Sequence, residues 1–453
     1  MTRNIASTQG GPSGGQLEAK IGAYYMLAML CESEARGLPG AVARLVKFQR
    51  GYEGHALDDI VVEGVVTLKN HPDADVGFEA RVARFNKAGG LGGREIKFLG
   101  VKDDGLDPDQ ALSVLQGVVG KDAVFAVAPV ASEAMLAPSA AYLERQGVVA
   151  IGLGNSPVFC AGDHRSAPGL SPVGCLINPL YGPTGALANL VQASGGPAPQ
   201  VRLAIVGDDT DASKNRVTAL VALAKAQGVQ VVFHTNTISS SGNTNFAPIV
   251  TTLLAAGPNV VDEVADVGGS VALATVLQAA GYRGAVVNGV TYEPPSVLSS
   301  AGITNTLSGI YVDAPLPVDA NPANPAVAQI RTDLEAIGEP ATVDVDIALG
   351  YWSADMLIQL LQAAAANGGN PTPASLAATA TAGWTYHGPP GGPSDLSFPA
   401  PGWVDSDGCS TLLQFSRGVY KEIAPYGCAP VTKVTPLTTD TTLTTPIGGG
   451  GSG

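Results

Sequence analysis

The sequence VVAIGLGNSP at residues 148–157 closes the most regular part of the chain. From Ile60 to this point, apolar runs of strand length alternate with helical segments in the order strand, helix, strand, helix, strand, helix, strand. The connections are too long for hairpins, so the strands are predicted to be parallel with right-handed crossovers. The turn at residues 154–157 then places backbone N–H groups and a hydroxyl at the carboxyl edge of the sheet. Small ligands bind at that edge in doubly wound α/β folds.

A second series of the same kind follows the first. In the first series the predicted strands are 60–68, 95–101, 124–127 and 148–153, and the predicted helices are 73–88, 107–119 and 134–146. In the second series the predicted strands are 201–206, 229–235, 260–264 and 284–290, and the predicted helices are 213–227, 246–256 and 271–280. Two similar halves of about the same length predict two α/β lobes rather than one large sheet.

Composition excludes several classes of partner. The chain has 453 residues, of which 45% are hydrophobic and 14% charged, and its formal net charge is -14. A nucleic-acid-binding surface needs concentrated Lys and Arg, and an anionic membrane surface attracts the same residues. We therefore expect a soluble globular protein that binds no nucleic acid and makes no sustained contact with lipid.

The cysteines predict a compartment. Cys160 and Cys175 are 15 residues apart, and Cys409 and Cys428 are 19 apart around a predicted hairpin. Two local pairs predict two disulfides, which form outside the reducing cytosol. Four cysteines allow three pairings, and four buried free thiols are the alternative interpretation. We expect a periplasmic or cell-envelope location, although the first residues do not resemble an export signal.

The N-terminal segment, residues 1–57, is predicted to be a partly helical appendage. Where it runs into the first strand, residues 57–63 read LDDIVVE, and this start resembles the opening of a restriction-type nuclease domain. Such a nuclease needs a further carboxylate and a lysine on the next strand, and the chain instead enters the α/β series. We expect a non-catalytic appendage.

Three segments in fixed order carry a family resemblance. They are DVGFEAR at residues 75–81, FNKAGGLGGR at 85–94 and DDGLDP at 103–108. Together they resemble the first lobe of type I periplasmic solute-binding proteins, the branched-chain amino-acid receptors of ABC importers. The resemblance covers roughly residues 60–428. It implies two doubly wound α/β lobes joined by three crossovers, with a hinge and a cleft between the lobes that traps the ligand.

The resemblance also implies a domain division. Residues 58–178 and 312–403 are assigned to lobe 1, residues 179–311 and 404–430 to lobe 2, and residues 431–453 to a flexible Thr/Gly-rich tail.

In that family the first lobe holds the ligand's carboxylate, and the second supplies an acidic group for its ammonium and aromatic walls. The implied ligand-binding residues of this chain are Ser132, Gly154, Asn155, Ser156, Asp211, Asp266 and Tyr292. Ordinary helix caps and solvated carboxylates are the competing interpretation of the serines and aspartates. Ala212 stands where the family has an aromatic residue, and the loop at residues 69–73 is short, so branched-chain amino-acid specificity is not implied.

No catalytic pattern accompanies these residues. The five histidines are scattered, and no metal-binding pair, Walker loop or complete dinucleotide fingerprint occurs. We therefore predict no enzyme activity, no metal and no cofactor. The predicted function is capture of a small polar metabolite, an amino acid, amide or related carboxylate, by a monomeric receptor that delivers it to an ABC importer permease. A ligand-sensing regulatory domain and an enzyme using Asp59 and Glu63 are the alternatives.

Overall fold

The structure, a computed structural model, describes residues 59–120, 124–160, 169–240, 242, 244–288, 301–366, 370–398, 408–429 and 431–435. The chain divides into two units, residues 1–60 with 94–97 and residues 61–93 with 98–453. In the described part of the first unit, the backbone N–H of Ile60 donates a hydrogen bond to the Glu95 carbonyl oxygen at 2.9 Å. The predicted appendage, residues 1–57, lies outside the described residues. The architecture below is that of the second unit, together with Ile60 and residues 96–97 of the first, which begin two of its strands.

A five-stranded sheet organises the first half of the chain, in the order β2-β1-β3-β4-β5. Strands β1, β3, β4 and β5 are parallel. The strands are β1 (Ile60–Val66), β2 (Ile96–Asp103), β3 (Ala126–Ala131), β4 (Val149–Gly152) and β5 (Gly169–Leu170). The helices between them are α1 (Ala74–Lys87), α2 (Pro108–Gly120), α3 (Ala137–Gln146) and α4 (Pro157–Cys160). All residues of β1 and β3 are buried, which is why these strands are apolar apart from Glu63.

A seven-stranded sheet organises the second half, in the order β15-β14-β11-β10-β9-β7-β8. Strands β7 to β11 are parallel, and β14 and β15 are antiparallel. The strands are β7 (Arg202–Asp208), β8 (Gln230–Ile238), β9 (Val260–Val264), β10 (Ala285–Asn288), β11 (Tyr311–Ala314), β14 (Cys409–Ser416) and β15 (Val419–Cys428). The helices are α5 (Thr184–Ser194), α6 (Asp211–Ala226), α7 (Phe246–Ala256), α8 (Val267–Ala279) and α9 (Ala301–Leu307). The two sheets confirm the predicted pair of doubly wound α/β lobes.

The chain returns to the first lobe between β11 and β14. This return contains α10 (Pro325–Ile337), α11 (Val345–Ala366), α12 (Pro373–Thr381) and the pair β12 (Trp384–Tyr386) and β13 (Leu396–Phe398). Helix α11 crosses α1 closely: an added Cβ at Gly77 would lie 1.8 Å from the Ile347 carbonyl oxygen, and one at Gly350 would lie 1.8 Å from that of Ala74. Only glycine permits this approach, which attaches the returning helices to the first lobe.

Two details differ from the predicted domain boundaries. The boundary before residue 312 falls inside β11, which continues in the second sheet to Ala314. The predicted tail, residues 431–453, begins too early. Strand β16 (Thr432–Lys433) pairs with β6 (Tyr181–Gly182), and Val434 is buried in the second-lobe core. A Thr-rich segment has no strong period of its own, so only its partner strand reveals this pairing.

Both predicted disulfides are confirmed. Cys160 pairs with Cys175, and Cys409 pairs with Cys428 across β14 and β15. Among the helices of the described residues, none is both long enough and apolar enough to cross a membrane. Over the same residues, no three His, Cys, Asp or Glu side chains form a group that could hold a metal ion.

Candidate functional site

The carboxyl edge of the first sheet brings together three segments that are distant in sequence. Residues 67–71 follow β1, residues 132–133 follow β3, and residues 153–156 follow β4. Because parallel strands end at the same edge, the polar residues of these segments share one location. The predicted site residues Ser132, Gly154, Asn155 and Ser156 all lie here, and all are buried.

Ser132 is hydrogen-bonded to a buried carboxylate at this edge. Its hydroxyl donates a short hydrogen bond to Asp104, and Thr67 donates a second to the same carboxylate at 2.7 Å. The Ser132 oxygen also accepts from the backbone N–H of Ala134 at 3.1 Å. The hydroxyl that was predicted to bind a ligand is therefore used within the protein, where it joins the loops after β1, β2 and β3.

A chain of polar side chains lies beside Ser132. The Asn155 side-chain N–H donates to Glu133 Oε1 at 2.8 Å. His71 Nε2 lies 3.5 Å from the same carboxylate, an ion-pair distance, and His71 Nδ1 lies 2.8 Å from Asp346 Oδ1 at the start of α11. Asp346 belongs to the returning segment, so the chain joins residues from both passes through the first lobe.

His71 is a buried cation in this arrangement. Burial alone lowers its pKa, but the charge and hydrogen bond of Asp346, together with Glu133, raise the pKa to about 10. For Glu133, burial alone raises the pKa, and the adjacent His71 and the Asn155 hydrogen bond bring it below its usual value. The edge therefore presents an ionised carboxylate beside a protonated imidazole.

Several buried polar atoms at this edge make no hydrogen bond with the protein. Within the described residues they are Asn70 Oδ1, Glu133 Oε2, Asn155 Oδ1 and Ser156 Oγ, while His71 Nε2 has only its 3.5 Å ion pair with Glu133. Leaving a buried donor or acceptor unpaired costs about 1–3 kcal/mol, and native proteins rarely leave several together. A polar ligand can supply the missing partners.

Gly154 fits a space that no side chain can share. A Cβ at this position would lie 1.6 Å from the Gly174 carbonyl oxygen. The Gly154 carbonyl oxygen accepts from the Leu176 N–H at 2.7 Å, and the Cys160–Cys175 disulfide links α4 to the same loop. The loop that contains Gly174 and Cys175 is anchored by this disulfide, and it packs against the backbone that carries Asn155 and Ser156.

The second sheet contributes carboxylates at its own carboxyl edge. Asp208 ends β7 and accepts hydrogen bonds from the backbone N–H and hydroxyl of Thr210. Burial raises the pKa of Asp208, and the negative charges of Asp266 and Glu133 raise it further. Since Glu133 belongs to the first lobe and Asp266 to the second, charges from both lobes raise the pKa of Asp208. The predicted site residue Asp211 is different: its side chain is 76% exposed, and it pairs with Lys214 at 3.4 Å.

Asp266, another predicted site residue, has two roles in the structure. Its carboxylate accepts from the Gly269 N–H at 2.8 Å and so caps the N-terminus of α8. It also pairs with Lys69 of the first lobe at 3.3 Å. Tyr292, predicted to line the cleft, lies outside the described residues.

We expect the cap to contribute more to stability than the Lys69 pair. Asp266→Ala should lower the free energy of unfolding by about 1 kcal/mol, while Asp266→Asn, which keeps a capping oxygen, should be nearly neutral. Lys69→Ala should cost less than about 1 kcal/mol because the Lys69 side chain is 64% exposed. Urea denaturation of the three variants checks this, and equal losses for the alanine and asparagine variants of Asp266 would contradict the capping role.

Sequence reasoning missed His71, Glu133 and Asp208. All three lie at or just after the end of a strand, a position that hydrophobic periodicity does reveal. Periodicity does not reveal which of two neighbouring polar residues has its hydrogen bonds satisfied within the protein. Ser132 and Glu133 are adjacent in sequence, and only their contacts distinguish them.

Comparison with known proteins identifies one family of binding proteins. The family model described as periplasmic binding protein matches residues 63–398. No curated protein matches the chain.

Solved structures with a similar fold include a fatty acid ABC transporter substrate-binding protein from Thermomonospora curvata, 14% identical over 83% of this chain and 94% of that chain, with a TM-score of 0.66. A leucine binding protein from Thermotoga maritima is 14% identical over 83% and 99% of the chains, with a TM-score of 0.62. A solute binding protein from R. palustris, in complex with 4-hydroxybenzoate, is 16% identical over 84% and 98%, with a TM-score of 0.61. At these identities the likeness establishes the fold.

Proposed function

The chain belongs to the periplasmic binding protein family, and from this premise we propose that it is an extracytoplasmic receptor that captures a small polar metabolite between its lobes and delivers it to an ABC importer permease. The two disulfides support a location outside the reducing cytosol. The receptor acts as a monomer and carries out no reaction on its ligand.

One observation carries the proposal: the group of buried, unpaired polar atoms at the carboxyl edge of the first sheet. In an open α/β sheet this edge is the usual position of a ligand. Asn155 and Ser156 are each at least nine-tenths buried, so their unpaired atoms are not solvated at the surface. A polar molecule held against them gains hydrogen bonds that the protein alone does not make.

The enzyme alternative used Asp59 and Glu63 as acidic residues of an N-terminal site. Glu63 lies in the buried strand β1, and its carboxylate is 3.0 Å from the Lys102 ammonium. A carboxylate in this setting is suited to an ion pair within the sheet, which favours binding over catalysis. Hydrolysis that is measurable in the wild type and lost in Glu63→Ala would overturn the proposal.

The direct test is thermal unfolding of the full chain with a panel of amino acids, amides, amines and small carboxylates. A ligand whose free concentration is a hundred times its Kd stabilises the native state by about 2.7 kcal/mol. For a protein of this size we expect an increase in Tm of about 3 °C with one chemical class and no change with the others. A panel without any shift would contradict receptor function for these classes of metabolite.

A further inference from the structure

The unpaired atoms of the site are mainly acceptors. Asn155 donates its side-chain N–H to Glu133, and a carboxylate that is ionised can only accept, so the orientation of the Asn155 amide is determined. Its Oδ1 therefore faces away as an acceptor, and Glu133 Oε2 is a second acceptor that carries negative charge. Asn70 Oδ1 is a third acceptor, and Ser156 Oγ can donate or accept. The protonated His71 has its Nε2 3.5 Å from the Glu133 carboxylate.

Three donors at these loops that could bind a carboxylate are already occupied, which leaves the Ser156 hydroxyl. The Ser132 hydroxyl donates to Asp104. The backbone N–H of Ala134 donates to Ser132 Oγ, and the backbone N–H of Asn155 donates to the Leu153 carbonyl oxygen at 2.8 Å. An oxyanion placed against these three groups would meet donors that already have partners within the protein.

The charge of the site is also unfavourable for an anion. The negative charges of Glu133 of the first lobe and Asp266 of the second raise the pKa of Asp208, so negative charge from both lobes converges here. Within the described residues, Glu133 and Asp346 both contact the single imidazolium of His71, at 3.5 and 2.8 Å. Lys69 pairs with Asp266, so these contacts leave one negative charge in excess. A positively charged ligand would reduce the imbalance, and a carboxylate would increase it.

Resting on the proposed function, we propose that the ligand is a small organic cation rich in N–H groups, such as an amine, amidine or guanidine. Glu133 and the Asn155 amide oxygen accept its hydrogen bonds, and no carboxylate of the ligand is bound at the first-lobe loops. Glu133 is thus the residue that determines specificity. The amino-acid-receptor interpretation expected neutral hydroxyl and amide donors to hold the ligand at Ser132 and residues 154–156. In this proposal the negative charge of Glu133 binds the ligand instead.

The test uses compounds that differ only in charge and in donors. Acetate, acetamide and acetamidine form one series; benzoate, benzamide and benzamidine form a larger one; agmatine and arginine differ by a carboxylate. Calorimetric titration of the full chain should detect binding of cationic members, with affinity at least about tenfold above that of the carboxylate or zwitterionic analogue.

Two variants locate the effect. Glu133→Gln keeps the size and the hydrogen-bonding oxygen but removes the charge, and it should weaken binding of the cation by about tenfold or more. Asp208→Asn provides an independent reduction of charge from the second lobe if the Glu133 variant folds poorly. The matched control is Glu335→Gln, an exposed glutamate on α10, which should leave the affinity unchanged.

Each outcome decides the question. Preference for the cations, reduced in Glu133→Gln, supports the proposal. Binding of a carboxylate, a zwitterion or a neutral compound in preference to every cation overturns it and leaves the receptor function intact. If no compound of these series or of the thermal panel binds, the ligand class is rejected, and so is receptor function for the classes of metabolite in the panel.

Discussion

Replacing His71 by alanine should lower the free energy of unfolding at pH 6 by about 3–5 kcal/mol. The imidazole lies between the carboxylates of Asp346 and Glu133, at 2.8 and 3.5 Å. Its removal leaves two buried negative charges without the cation that compensates them. Loss of one partner of a buried ion pair costs this much because the remaining charge stays desolvated.

The same residue makes stability depend on pH. The pKa of His71 is about 10 in the folded protein and 6.5 ordinarily. Because the folded pKa is the higher one, the stabilisation is complete below about pH 6.5 and is lost as the pH rises toward 10. The loss over this window is about 5 kcal/mol. Asp344, whose pKa is raised to about 8 by burial and by Asp346, lowers stability in the same direction.

Urea denaturation between pH 6 and pH 9.5 measures both effects. The wild type should lose stability steadily over this range, and His71→Ala should lose much less. The control is His387→Ala, because the His387 side chain is 70% exposed and pairs with Asp395 at the surface. Parallel pH curves for wild type and His71→Ala would show that His71 is not the group that titrates.

Gly154→Ala should displace the site residues that follow it, Asn155 and Ser156. The added methyl group would overlap the Gly174 carbonyl oxygen, so the loop at residues 153–156 or the loop at 171–178 must move. The Cys160–Cys175 disulfide restrains the second loop, so we expect the displacement to fall on Asn155 and Ser156. Overpacking of this kind costs about 1–3 kcal/mol. Ligand affinity should decrease more than about tenfold, since a site tolerates displacements of only about 0.5 Å.

The matched control is Gly117→Ala. Gly117 lies within α2, and a Cβ there would meet no atom within 4 Å. The change should stabilise the protein by about 0.5–1 kcal/mol and leave affinity unchanged. Affinity is measured with the compound that gives the largest increase in wild-type Tm. Gly154→Ala that binds this compound as tightly as the wild type would contradict the role assigned to the close contact.

Much of the fold was predictable because its signals are local. The first strand was predicted at residues 60–68 and is Ile60–Val66; the first helix was predicted at 73–88 and is Ala74–Lys87. Periodicity, caps and glycines act over a few residues and are visible in the sequence. The disulfides were predictable for the same reason, since each joins cysteines less than 20 residues apart.

The sequence by itself determined the strand and helix order and the two lobes, indicated the disulfides, and located the segments at residues 130–132 and 154–156 that end strands at the carboxyl edge of the first sheet. Only the tertiary structure decided which side chains at that edge are available. His71 and Asp346 are 275 residues apart, and Ser132 and Asp104 are 28 apart, yet these pairs decide which atoms remain unpaired. The physical reason is that burial and pairing depend on distances through space. These follow from the packing of the returning helix α11, for His71 and Asp346, and from the order of strands in the sheet, for Ser132 and Asp104, rather than from any local pattern.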